Sequence, residues 1–103
     1  MRTGSLRLKL KIVWFRSFLG LAIDQIGLNQ QFSLTPYYFW PKTEAWEQLK
    51  IELDSKLWLS QKEKTEILKI AGDVMNFWLL HRDTKTLGDL KKDLSEDVII
   101  IFQ

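Results

Sequence analysis

Residues able to move protons are present in this chain but poorly placed for it. His81 is the one histidine. It closes a helical pattern, where a cation complements the helix dipole, and no cysteine, serine or second histidine stands beside it to form a nucleophile–base pair. Carboxylates recur at helical spacing as Glu44 with Glu47, Glu63 with Glu66, and Asp89 with Asp93. Each pair sits among lysines, the pattern of a solvated helix face rather than of an acid–base couple. There are no cysteines, which excludes a disulfide framework, a thiolate nucleophile and a Cys-based metal site, and suits a reducing compartment. The phosphate-cradling patterns GxGxxG and GxxxxGK and the nucleophile elbow GxSxG are all missing. The expectation is a protein that is not an enzyme, with no metal, no cofactor and no small-molecule substrate.

Two other groups of residues could bind rather than react. The first is basic. Residues 1–17 carry Arg2, Arg7, Lys9, Lys11 and Arg16 and no acid, although the whole chain has a net charge of only +2. A basic end on an otherwise slightly acidic chain is compatible with local contact to a polyanion, although the residues alone favour a solubilising face. The second is aromatic. Residues 34–78 hold four of the five tryptophans, both tyrosines and both prolines, including the consecutive run Tyr37, Tyr38, Phe39 and Trp40. Four successive rings in an extended segment cannot all point inward. They either wrap over the core or dock a partner, protein or RNA bases.

The elements that must position these groups are legible in the hydrophobic pattern. Leu6, Leu8, Leu10, Ile12 and Trp14 alternate with Arg7, Lys9 and Lys11, the period of a strand with one buried face. The three cations must then form a row on the opposite face. Residues 20–26 predict a second strand, antiparallel to the first as a hairpin, followed by a loop over 27–31. Pro36 and Pro41 hold the residues before them in extended backbone. Pro41 suits an early position in a helix predicted over 42–54, with Trp46, Leu49 and Leu53 inward. Ser60 and Glu63 form a capping box that starts a second helix over 61–81. Ile67, Ala71, Val74 and Trp78 form its central stripe, and Gly72 leaves room for close packing, expected against the hairpin. Residues 86–94 suit a short helix, and the run 98–102 (VIIIF) a last strand covered by the sheet.

These expectations describe an α+β fold: an N-terminal hairpin, two main helices, a short C-terminal helix and a strand joining the sheet. A length of 103 residues fits a single domain, 1–103, able to build one core without a staple. No window approaches the ~18 apolar residues a membrane span needs. The alternation over 6–14 leaves no continuous apolar region for a signal peptide. No membrane partner is expected.

The run LTPYYFWPKTEAWEQLK, then ELDSKLWLSQKEK, then a helix closing in DVMNFW, resembles the plastid-specific ribosomal protein 3 family of cyanobacteria and plastids. The likeness covers roughly residues 6–80 and rests on Thr35-Pro36-Tyr37, Phe39-Trp40-Pro41, Trp46, Trp58 and Asn76-Phe77-Trp78 in that order, with residues 20–25 matching as well. The chain departs at Leu57, where the family often has proline, at Lys69-Ile70, where an Asn-Gln pair is usual, and after His81. The resemblance implies a structural component of the small ribosomal subunit, with 16S rRNA and other small-subunit proteins as partners; a separate expectation is that the isolated chain is monomeric. It implies a site in the cytoplasm of a cyanobacterium, or in the plastid stroma, since the first strand follows almost directly on the N-terminus. Arg2, Arg7, Lys9, Lys11 and Arg16 are the expected RNA contacts, and Tyr37, Tyr38, Phe39 and Trp40 the segment expected to dock a neighbouring protein. The rival expectation is an adaptor or translation regulator that visits the ribosome through protein contacts.

Overall fold

The computed structural model describes residues 8–27, 30–83 and 98–102. Five strands form one sheet: β1 (Leu8–Trp14), β2 (Leu19–Ile26), β3 (Gln31–Ser33), β4 (Tyr38–Trp40) and β5 (Val98–Phe102). Their order is β3-β2-β1-β5, with β4 also paired to β2. The hairpin of β1 and β2 is antiparallel, from Leu8↔Gln25 to Trp14↔Leu19, and β5 lies parallel to β1 on its other side. The helices α1 (Ala45–Asp54) and α2 (Gln61–His81) cover one face. The class is α+β, as the hydrophobic pattern implies. The short helix expected over 86–94 lies outside the described residues.

The period of two in β1 becomes a strict alternation of buried and half-buried residues. Leu8, Leu10, Ile12 and Trp14 point at the helices, joined from β2 by Leu19, Leu21 and Ile23. From the helix layer come Ala45, Leu49 and Leu53 of α1 and Ile67, Ala71, Val74 and Trp78 of α2. Burying each large aliphatic side chain contributes about 1.5–3 kcal/mol, so this seam is the main stabilising element. Trp78 is fully buried. Its indole N–H donates to the Phe15 carbonyl at 2.7 Å, which ties the end of α2 to the hairpin turn and leaves no buried donor orphaned.

β3 and β4 are two pieces of one interrupted strand on the same edge of β2. β3 pairs with Asp24, Gln25 and Ile26, and β4 with Leu19, Gly20 and Leu21. Between them Pro36 has no N–H to give. The buried Thr35 fills the gap: its hydroxyl accepts from the Ile23 N–H at 3.0 Å and donates to the Pro36 carbonyl at 2.9 Å. The loop expected over 27–31 therefore ends in a short strand. Three residues are too few to show a period.

Two other details depart from the pattern. The first helix starts at Ala45 rather than at residue 42. The Phe39 carbonyl accepts both the Thr43 N–H at 2.8 Å and the Thr43 hydroxyl at 3.0 Å, closing a turn before the helix begins. Pro41 belongs to that turn, and the Trp40–Pro41 bond is cis. Gly72 faces α1, not the hairpin: a Cβ there would lie 3.7 Å from Trp46 Nε1. That indole instead donates to the Leu68 carbonyl at 2.9 Å. The Ser60–Glu63 capping box forms with both bonds at 3.0 Å.

Candidate functional site

The sheet face turned away from the helices gathers the binding residues. Alternation in β1 sends Lys9, Lys11 and Val13 outward, and the register sets them beside Asp24, Ala22 and Gly20 of β2. Gly20 in turn pairs with Phe39 of β4. The Phe39 ring lies over that glycine, so that a Cβ on Gly20 would come within 2.7 Å of it. Phe39 stays 39% exposed. Phe18 meets it edge-on at 5.5 Å, and Phe15 follows Phe18 at 4.6 Å. Tyr37 runs nearly parallel to Phe39, at 6.2 Å and 21°.

Lys11 joins the basic row to the rings. Its ammonium stands 5.1 Å from the centre of the Tyr37 ring and 2.9 Å from Asp24 Oδ1. Asp24 is buried, and its other oxygen accepts from Gln31 Nε2 at 2.7 Å. A buried carboxylate requires such partners, so Lys11 serves first as its counter-ion. Burial raises the Tyr37 phenol above its ordinary pKa, offset by Lys11 and reinforced by Asp24. Arg16 stands at the hairpin turn, 3.4 Å from Asp83 with both side chains mostly exposed. Exposed pairs of that kind contribute little and exchange readily.

The expected docking segment is thus divided by its own alternation. Tyr37 and Phe39 face outward. Tyr38 and Trp40 turn toward the helices, where the Tyr38 hydroxyl donates to Glu52 Oε2 at 3.3 Å and Trp40 meets Trp78 edge-on at 5.3 Å. Of the expected basic contacts, Lys9 and Lys11 share the outer face, Arg16 lies beyond its end, and Arg2 and Arg7 lie outside the described residues. Phe18, Asp24 and Gln31 were not foreseen. Their signal was the row of small residues at alternate positions of β2, Gly20 and Ala22, which leaves space for a neighbour's rings.

An open groove of about 310 Å³ between α1 and α2 is lined by Trp46, Lys50, Asp54, Gln61, Lys64, Thr65, Leu68 and Lys69. It holds one carboxylate, shared by Lys50 at 2.9 Å and Lys64 at 3.9 Å, and no histidine. It offers charge but no couple for proton transfer. His81 packs against Phe77 at 4.6 Å, and Glu63 is committed to the cap of α2. No group of three His, Asp or Glu that could hold a metal occurs among the described residues.

Residues 34–81 match the family model described as plastid and cyanobacterial ribosomal protein (PSRP-3 / Ycf65). The chain is 44% identical over 69 residues to a probable small ribosomal subunit protein cS23 of Synechococcus sp., covering 67% of this chain and 70% of that protein. The chain belongs to this family. It is 38% identical over 86 residues to small ribosomal subunit protein cS23 of Gracilaria tenuistipitata, covering 84% and 87% of the two chains. To cS23 of Cyanidium caldarium it is 44% identical over 70 residues, covering 68% and 69%. The stretch that matches the family model runs from Leu34 to His81 and so contains β4, α1 and α2. The aromatic half of the outer face, Tyr37 and Phe39, lies within it. Lys9 and Lys11 lie before it.

Proposed function

We propose that the chain seats on 16S rRNA through the outer face of its sheet, as one domain that is monomeric when isolated. It is a structural component of the small ribosomal subunit and not an enzyme. The observation that carries the proposed seat is the convergence of Lys9 and Lys11 with Tyr37 and Phe39 on one face. Lys9 and Arg16, with Arg2 and Arg7 of the basic N-terminal segment, supply phosphate contacts, which position a protein without reading sequence. Lys11 contributes mainly by holding Asp24 and the Tyr37 ring in place. Neighbouring small-subunit proteins meet other exposed apolar side chains, among them Leu57 and Trp58. The compartment is that of the ribosome it serves, the cyanobacterial cytoplasm or the plastid stroma.

Sedimentation tests this reading. One copy per small subunit should survive a high-salt wash, and Lys9→Glu with Arg16→Glu should weaken the association and flatten its salt dependence. Substoichiometric protein that salt removes easily would favour the adaptor instead. Unchanged association of the double variant would show those cations to be only solvated.

A further inference from the structure

We propose that the outer face is a stacking platform for unpaired nucleotides, not a surface that follows duplex RNA. This rests on the rRNA reading above and names the form of RNA that the face accepts. Phe39 is decisive. Its ring atoms Cε1 and Cδ1 lie over the bare backbone of Gly20, 2.7 and 3.0 Å from where a Cβ would stand, while the residue stays 39% exposed. A ring seated from below and braced edge-on by Phe18 is held rigid, so a base that covers it need order little else. Tyr37 extends the platform nearly in parallel, its ring held by the ammonium of the Lys11–Asp24 pair 5.1 Å from its centre.

The surroundings match an extended strand of RNA. Lys9 shares this face with Lys11 in alternate positions of β1 and gives the phosphates of a short strand a cation beside the rings. Such a combination of stacking rings and flanking cations is how proteins hold single strands. A duplex, by contrast, is bound mostly through 2′-hydroxyl and phosphate contacts across its minor groove, and its paired, stacked bases offer exposed rings no free face. Asp24, the acid on this face, is enclosed by Lys11 and Gln31, so its charge is already compensated.

The test uses the full chain and dye-labelled RNA decamers, read by fluorescence anisotropy. The single-stranded decamer should bind at least about tenfold more tightly than the same sequence annealed to its complement. Phe39→Leu keeps an apolar cover over Gly20 but has no π-face; it should lose roughly 5- to 150-fold in single-strand affinity with its melting temperature little changed. Phe39→Trp should retain binding, which separates stacking from packing. Equal or tighter duplex binding, or wild-type affinity in Phe39→Leu, would overturn the platform while leaving the rRNA seat standing. Failure to bind either RNA, together with loss of co-sedimentation, would overturn both. A photo-crosslinker at position 39 should mark rRNA bases in the intact subunit; a crosslink to a ribosomal protein would also overturn the proposal.

Discussion

At Thr35 a single hydroxyl stands in for a ladder carbonyl, as acceptor for the Ile23 N–H, where the edge strand is interrupted. The Ile23 N–H it accepts is buried, and a buried donor left without an acceptor costs about 1–3 kcal/mol. Thr35→Val, nearly the same shape, should therefore lower stability by about that amount in urea unfolding, while Thr35→Ser should recover most of it. An unchanged midpoint for the valine variant would mean that Ile23 finds another acceptor. The two tyrosines give a pH signature. Burial raises both phenols above their ordinary value, and at Tyr38 the charge of Glu52 and its hydrogen bond raise it further. The folded state then holds these protons more tightly than the unfolded chain. Their contribution is complete below the ordinary phenol pKa and is lost as pH rises through the raised one. The difference in melting temperature between wild type and Tyr37→Phe with Tyr38→Phe should be constant below that alkaline range and change only within it, the double variant losing less stability as pH rises.

At the scale of elements, Gly72 is the position where the sequence pattern allows a gain. It sits inside α2, and a Cβ there would meet Trp46 at an ordinary van der Waals distance of 3.7 Å. Gly72→Ala should stabilise the protein by about 0.5–1 kcal/mol, measured by chemical unfolding. A loss would mean that Trp46 cannot accommodate even a methyl group. What could be read from the chain beforehand follows the range of the forces involved. The alternation of β1 and the Ser60 cap of α2 are local, and both formed as expected. The start of α1 was displaced by the bonds from Thr43 to Phe39, which compete with helix over only four residues. β3 is too short to carry a period. The basic row and the run of rings were each visible, but their meeting was not. It depends on the pairing of Gly20 with both Val13 and Phe39, and on the absence of a side chain at Gly20.

Across the whole molecule the two faces of the sheet divide their tasks. The inner face and the two helices bury a continuous apolar core, and the helices carry i,i+4 ion pairs such as Lys50–Asp54 and Lys69–Asp73 on their solvent side. No helix of the described residues is long and apolar enough to cross a membrane. The outer face carries cations beside exposed rings, and family membership makes ribosomal RNA the polyanion to expect there. With a net charge of only +2, the chain suits one local seat better than wrapping in RNA, because each phosphate contact requires its own cation. The most direct measurement is a high-resolution map of the small ribosomal subunit from the organism that makes this protein. It should show one copy whose Lys9, Tyr37 and Phe39 lie against 16S rRNA, with the helix layer turned away. Density that puts α1 and α2 on the RNA and leaves the outer face of the sheet in solvent would contradict the account.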